Sequence, residues 1–314
     1  MHLAVVIPAF NEEETIAKVI ESIPVELPGI SRTSVVVVDD GSTDLTRERA
    51  LDSGALVVSH SKNKGVGMAF RTGVKEALKL KADILVNIDA DGQFNPQDIK
   101  TLIEPIVEDR ADFVTASRFI DHNMKPKMPW IKYFGNKCMS RLISILTRKK
   151  FYDVSCGFRA YSKETLLKLN LFGKFTYTQE TFLDLVFKDL RLLEIPIKVI
   201  GVRQHGKSKV ASNLFRYGAS SLSIILHSFV DYRPLAIFGI LSLLLFTAGL
   251  GFGVFFIGHF IRTGQFSPNI WAGFLSGFFF TMSFLVAVFS ILGDMLSRVR
   301  LNQEEILYLL KRHD

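Results

Sequence analysis

Val35-Val36-Val37-Val38-Asp39-Asp40-Gly41-Ser42-Thr43-Asp44 decides the fold. Four β-branched residues in a row fit a strand buried on both faces, as in a parallel sheet. The polar cluster that follows ends the strand. Ser42 or Thr43 is placed to cap a helix that stops near Gly54. Outward from there the pattern repeats. Leu3–Ile7 is an apolar run closed by Pro8, and Asn11 can cap a helix over about 12–23, with Glu14 completing a capping box. Further strands read at Ala55–Ser59, Ile84–Ile88 and Asp112–Ala116, separated by helices at Gly67–Leu80 and Pro96–Glu108. Alternation of this kind predicts an α/β class domain, a mostly parallel sheet with helices on both faces.

In such sheets ligands bind beyond the carboxyl ends of the strands. The residues there are Pro8 to Glu12, Asp39 to Asp44, Asp89-Ala90-Asp91-Gly92-Gln93, and Ser117-Arg118. Acids gathered on one edge repel each other and call for a cation or for ligand donors. Carboxylates at i and i+2, Asp89 and Asp91, can share a divalent ion, with Gln93 adding an amide oxygen. Such oxygen donors suit Mg²⁺ or Mn²⁺ and a diphosphate. The bland alternative is a polar turn. The Asp39-Asp40 pair and Arg118 on the same edge favour the metal.

The remainder of the chain reads differently. Pro234 to Ile261 and Phe266 to Gly293 contain no Asp, Glu, Lys or Arg. Each exceeds the roughly 20 apolar residues that a membrane span requires. Bases flank the pair on both outer sides (Lys207, Lys209, Arg216 and Arg233 before; Arg298, Arg300, Lys311 and Arg312 after), against Arg262 alone in the link. The positive-inside rule then puts the N-terminal domain and both termini at the cytoplasmic face. Between Leu214 and Phe229 apolar residues recur near helical spacing, predicting an amphipathic helix at the membrane interface. The division expected is 1–210 catalytic domain, 211–232 interface helix, 233–298 two spans (about 234–261 and 267–293) and 299–314 tail.

The formal net charge is +7, and residues 201–314 hold ten bases and five acids. That places the surplus at the C-terminal end and argues against nucleic acid as a partner of the main domain. Two cysteines, Cys138 and Cys156, make no disulfide framework. MHLAVVIPAF lacks the basic start of a signal peptide. Gly201 to Ser208 matches a P-loop pattern literally, but the acids downstream of it lie in or beside the apolar runs. Gly65-Val66-Gly67 lacks the third glycine of a dinucleotide fingerprint, Phe70 standing there.

The segments VVIPAFNEEETI, VVVVDDGSTD, NKGVGMAFRTG, VNIDADGQF, TASRF, DVSCGFRAY and VRQHGKSK resemble family 2 of the glycosyltransferases, of GT-A fold. They are most similar to its branch that charges dolichyl or polyprenyl phosphate with a sugar. The resemblance implies a nucleotide-sugar pocket at Pro8, Phe10, Glu12, Val37, Asp39, Asp89, Ala90 and Asp91. It implies a metal, Mg²⁺ or Mn²⁺, on Asp91 and Gln93, with Asp89 beside the ribose or the metal's waters. Arg118, Lys132, Arg203 and Lys209 would face donor and acceptor phosphates, and Asp89, Asp91, Arg118 and Arg203 would carry catalysis. Phe10 stands where the family often has Tyr, and Lys132 where Arg is expected, which exchanges a bidentate contact for a point charge.

An ionised lipid phosphate is already a nucleophile, so its site needs cations rather than a Ser-His-Asp relay. The partners implied are a nucleotide sugar (GDP-mannose, UDP-glucose or another UDP-sugar), a dolichyl or polyprenyl phosphate, the bilayer and, left open, further copies of the chain. The alternatives are a polysaccharide synthase, whose Gln-x-x-Arg-Trp motif is missing here, and a non-catalytic platform, disfavoured by the intact Asp-x-Asp.

Overall fold

A computed structural model describes residues 1–126, 128–171, 177–200, 223, 230 and 232–313. The chain divides into two compact units, Met1–Leu226 with Tyr308–Asp314, and His227–Leu307.

The first unit is built on a seven-stranded sheet. Its strands are β1 (His2–Ala9), β2 (Arg32–Asp39), β3 (Leu56–Ser59), β4 (Ile84–Asn87), β5 (Phe113–Ser117), β6 (Arg159–Ser162) and β7 (Leu192–Pro196), in spatial order β3-β2-β1-β4-β6-β5-β7. All run one way except β6, which pairs antiparallel with both β4 and β5. The GT-A-like α/β fold is therefore as expected, with one reversed strand added.

Helices cover both faces: α1 (Ile16–Glu21), α2 (Thr46–Asp52), α3 (Val66–Lys79), α4 (Ile99–Val107), α5 (Trp130–Thr147), α6 (Lys163–Lys168) and α7 (Thr178–Phe187). The period-two pattern of a strand sends Leu3, Val5 and Ile7 to one core with α1 and α4, and Ala4 and Val6 to the other with α3 and α7. α3 lies so close to β1 that a Cβ at Gly73 would overlap Val6.

Two helix starts differ from the sequence reading. Asn11 does not cap α1, which begins at Ile16 after Thr15. It sits in the left-handed region at φ 52°. Its N–H donates to Ser42 Oγ (2.9 Å) and its Oδ1 accepts from Thr43 N (2.8 Å). Ser42 and Thr43 are thereby occupied, and α2 starts at Thr46 instead. Short polar side chains here tie two loops together because the loops after β1 and β2 run side by side, a proximity that local sequence does not encode.

The second unit holds α8 (Pro234–Thr263) and most of α9 (Ile270–His313). Both helices are long and apolar enough to cross a membrane. α9 continues helical well past the predicted end at residue 293. Their contact combines aromatic pairs, such as Phe246 with Phe280 (centroids 5.3 Å apart) and Phe252 with Phe279 (5.7 Å), with a row of small residues. Ser242 and Ser283 each donate a hydroxyl to the other's carbonyl at 2.9 Å, and Ser276 donates to Gly249 O at 2.8 Å. Ser276, Ser283 and Ser290 are all buried and recur every seven residues, the period of a left-handed helix pair. The amphipathic helix expected over 211–232 lies outside the described residues apart from Ser223, Val230 and Tyr232.

Candidate active site

Strand register brings the acidic turns together. Ala9 of β1 is level with Asp39 of β2, and Val6 of β1 with Asn87 of β4. Pro8, Phe10, Glu12, Asp39, Asp89, Ala90 and Asp91 therefore share the carboxyl edge of three adjacent parallel strands, while Val37 is fully buried within β2. β5 and β7 end on the same edge, which puts Arg118 there as well.

The two acids of the Asp39-Asp40 pair have separate tasks. Asp39 is buried and accepts the Ser42 N–H through Oδ1 (2.9 Å). Asp40 accepts from the N–H groups of Lys64 (2.9 Å) and Gly65 (2.8 Å), and His60 Nδ1 lies 2.6 Å from its Oδ1. That carboxylate organises the loop before α3. It does not add to a metal site, which corrects its use as support for one. Gly41, at φ +79°, lets the turn pass against the backbone of Lys62 and Asn63; a Cβ there would lie 2.7 Å from Lys62 C.

Asp89-Ala90-Asp91 has the shape of a cradle. Asp91 is buried, and its Oδ1 accepts the Gln93 N–H at 3.0 Å. Gln93 donates from Nε2 to Ile200 O (2.9 Å), which leaves the amide's oxygen end as its remaining acceptor; Ile200 N donates back to Gln93 O (3.0 Å). Gly157 sits directly over Asp89: a Cβ there would be 2.9 Å from Oδ2 and 3.0 Å from Oδ1. Among the described residues no three His, Cys, Asp or Glu side chains converge as a metal cage. The residues present fit Mg²⁺ or Mn²⁺ held by one or two carboxylates, with phosphate and water supplying the other positions.

Sequence reasoning missed what supports this cradle. Asn87, fully buried, donates from Nδ2 to Gly157 O (2.9 Å) and to the Tyr177 hydroxyl (2.8 Å). Tyr177 stacks on Phe70 with centroids 4.1 Å apart, and burial raises its phenol well above the usual range. Arg159, also fully buried, donates to Cys156 O (2.7 Å) and Val154 O (3.1 Å). Its guanidinium lies 5.1 Å from the Phe182 ring centroid, a cation–π contact that offsets part of its desolvation. The available signal was an Asn closing the run Ile84-Leu85-Val86-Asn87, a polar residue where the pattern demands burial.

Arg118 is held in place by a partner 35 positions away. Its Nε and Nη2 reach Asp153 Oδ2 and Oδ1 (2.6 and 2.8 Å), and Nη2 also reaches Ser155 Oγ (2.8 Å). Burial pushes the Asp153 carboxyl upward, but the Arg118 charge and the hydrogen bonds outweigh it and hold the group below the usual range. Glu194 of β7 fixes the loop from below by accepting the Tyr152 and Asp153 N–H groups, both at 2.8 Å, and burial raises its own pKa. Burial likewise pushes the Cys156 thiol up to about 12. Lys132 lies half-buried in the first turn of α5. Arg203 and Lys209 fall outside the described residues. Glu180, left between sugar contact and helix start, is buried in the first turn of α7.

Comparison with known proteins agrees with this geometry. The chain is 34% identical over 215 residues to the UDP-N-acetylglucosamine–dolichyl-phosphate N-acetylglucosaminyltransferase of Methanococcus voltae, covering 62% of this chain and 84% of that one. It is 27% identical over 226 residues to a polyprenol monophosphomannose synthase of Mycolicibacterium smegmatis, covering 68% and 84%. A dodecaprenyl-phosphate galacturonate synthase of Rhizobium johnstonii matches at 26% over 277 residues, 84% of this chain and 80% of that one. Among solved structures, glucosyl-3-phosphoglycerate synthase of Mycobacterium tuberculosis with Mn²⁺ and UDP-glucose superposes at TM-score 0.57 and 25% identity, covering 72% of this chain and 78% of that one. The family model described as glycosyl transferase family 2 matches residues 4–169, more than half the chain. With the sheet, the Asp-x-Asp edge and these relatives in agreement, the chain belongs to glycosyl transferase family 2 and is a glycosyltransferase.

Proposed function

We propose that this enzyme transfers a sugar from a nucleotide diphosphate donor to a polyprenyl or dolichyl phosphate in the membrane. The observation that carries the proposal is one sheet edge bearing both charges: Asp89 and Asp91 beyond β4, and Arg118, pre-oriented by Asp153, beyond β5. The same chain adds two helices long and apolar enough to span a bilayer, where such an acceptor resides. Relatives whose names specify dolichyl or polyprenyl phosphate support the acceptor class.

The donor's base and ribose would lie along Pro8, Phe10, Glu12 and Asp39, with Val37 beneath them in β2. Mg²⁺ or Mn²⁺, held by Asp91 and Gln93 with Asp89 alongside, would neutralise charge on the departing diphosphate. Arg118, with Lys132, Arg203 and Lys209, would hold the acceptor phosphate. A phosphate oxygen then attacks the anomeric carbon, the bond from that carbon to the diphosphate oxygen breaks, and the nucleoside diphosphate departs with the electron pair. The resemblance to the lipid-phosphate branch of the family implies inversion of configuration at that carbon. The ionised phosphate carries no proton to remove, so the step calls for positioning and charge rather than a strong base. The basic flanks of α8 and α9 support a cytoplasmic position for the catalytic unit, by the positive-inside rule.

The test uses the full chain in lipid with a short polyprenyl phosphate, Mg²⁺ or Mn²⁺ and a panel of GDP- and UDP-sugars. One donor should yield a lipid-linked sugar, and absence of product with every donor defeats the proposal. Asp91→Ala should lower transfer by about 10²–10³-fold with the fold intact, the scale of losing a preorganised electrostatic group. Retained activity in that variant would overturn the metal assignment.

A further inference from the structure

α6 follows β6 directly and ends without the glycine turn that finishes many helices. Leu169 leaves it in extended conformation, at ψ 120°. The last carbonyls of a helix have no partner inside it and must find donors elsewhere. Two lysines from other parts of the chain supply them. Lys188, just past the end of α7, places Nζ 2.6 Å from Lys168 O. Lys311, in the last turn of α9, donates from Nζ to Leu167 O (3.2 Å), Leu169 O (3.0 Å) and Asn170 Oδ1 (3.0 Å), one acceptor for each proton of the ammonium.

Residues from Tyr308 onward belong to the first unit although α9 begins in the second. Tyr308 and Lys311, three apart and so on one side of the helix, are half-buried, whereas Leu309 and Leu310 are 46% and 59% exposed. This end of α9 turns its polar side inward, the reverse of what burial of hydrophobes alone would select. The Tyr308 hydroxyl donates to Glu164 Oε2 (3.1 Å), while Glu164 Oε1 pairs with Lys168 (2.9 Å). That exposed pair contributes little by itself. Lys311, with three acceptors, is the stronger contact.

Asn170 passes the contact on. Its side chain accepts from Lys311, and its N–H donates to Asp184 Oδ2 (3.3 Å) on α7. Asp184 is buried and pairs through Oδ1 with Lys188 (2.8 Å). Just ahead of α7, Tyr177 accepts from Asn87, and Asn87 also holds Gly157 O, which keeps Gly157 against Asp89. We propose that Lys311 is a positioning residue for the active site: it clamps the end of α6 and, through Asn170, Asp184 and α7, steadies the Gly157 wall over Asp89. This role rests on the reading of Asp89 and Gly157 as a wall of the donor site, so its test includes a measurement that needs no substrate.

Cys156 adjoins Gly157. It is buried, and burial pushes its thiol up to about 12, so a thiol reagent reaches it only when this loop opens. In the full chain in lipid, carrying Cys138→Ser, Lys311→Met should speed native-state labelling of Cys156 about tenfold, a scale on which residues remote from a site modulate it. The urea midpoint should not move. Lys311→Arg, which still donates to several carbonyls, should keep labelling slow. With an active donor, Lys311→Met should lower kcat about tenfold and leave the acceptor KM within about twofold. In a Tyr177→Phe background the same substitution should change kcat by under about twofold, because the path to Gly157 is already cut. Labelling that stays slow in Lys311→Met overturns the proposal. So does labelling that rises only as far as global stability falls, or a kcat loss that multiplies with that of Tyr177→Phe; either makes the clamp purely structural. Absence of transfer by the wild-type chain with every donor defeats the proposed function instead, and the labelling rates still decide the role of Lys311.

Discussion

The catalytic unit and the α8–α9 hairpin face the same physical problem and answer it in opposite ways. Each places polar groups where water is excluded. The catalytic unit uses charge against charge: Asp153, fully buried, accepts a two-pronged contact from Arg118. The hairpin uses hydroxyls against backbone: Ser242, Ser276 and Ser283 donate across the helix pair to carbonyls that already serve their own helices. A buried ion pair is expensive to assemble and costlier to break, since the surviving partner is a stranded charge. A serine that loses its contact strands nothing. Breaking a polar contact in the first region should therefore cost several times what it costs in the second.

The largest effect is expected from Arg118→Met. It leaves Asp153 ionised and buried, a loss of about 3–5 kcal/mol at pH 7. Urea-induced exposure of the Cys156 thiol, in a Cys138→Ser background, measures it. The pH dependence has a definite sign. Asp153 has a depressed native pKa, so its contribution is present above the unfolded value of about 4 and is lost as pH falls through the native value. The gap between wild type and variant should close on acidification below about pH 4. A gap that is constant with pH would mean that the loss is packing, not charge.

Gly157→Ala should come next and act on rate rather than stability. The added Cβ would meet the Asp89 carboxylate at 2.9 Å, and Asn87 prevents the loop from backing away by holding Gly157 O. Displacing Asp89 by a few tenths of an ångström to one ångström should lower kcat up to about 100-fold. The urea midpoint of Cys156 exposure should move by under about 1 kcal/mol. An unchanged kcat would disconnect the Gly157 loop from the chemistry and leave it a structural wall.

These two predictions rest on residues of unequal legibility. Asp89 and Asp91 were readable because they follow an apolar strand on consecutive pleats. The two long apolar helices were readable because stretches of that length without a charge suit the interior of a bilayer. Arg118 was readable as a residue, but its partner was not: Asp153 lies beyond the whole of α5, and pairing over that distance leaves no local trace. β6 was missed for a related reason. Its four residues, Arg159-Ala160-Tyr161-Ser162, show neither alternation nor an apolar run, because a buried arginine caged by rings replaces a hydrophobe. Asp40 was misjudged because adjacent identical residues suggest one task, whereas successive positions at a strand end point to opposite sides.

The smallest effect should come from the hairpin, and it is the one that tests the comparison most directly. Ser283→Ala removes a hydroxyl that donates to Ser242 O, and leaves the Ser242 hydroxyl still donating to Ser283 O. Single hydrogen bonds between membrane helices average about 0.6 kcal/mol, because the separated helices also find partners for such groups. The relevant measurement is the SDS concentration that separates α8 from α9, followed by Trp271, which lies 6.1 Å from the Phe252 ring, in a Trp130→Phe background. A shift near 0.6 kcal/mol keeps the two regions in distinct regimes. Should the shift instead approach the ~3 kcal/mol of a broken buried ion pair, the serine ladder would be acting as one cooperative unit along its seven-residue repeat. Ser276→Ala, one repeat away, should then fail to add independently, and the double variant is the measurement that separates a row of weak contacts from a single strong one.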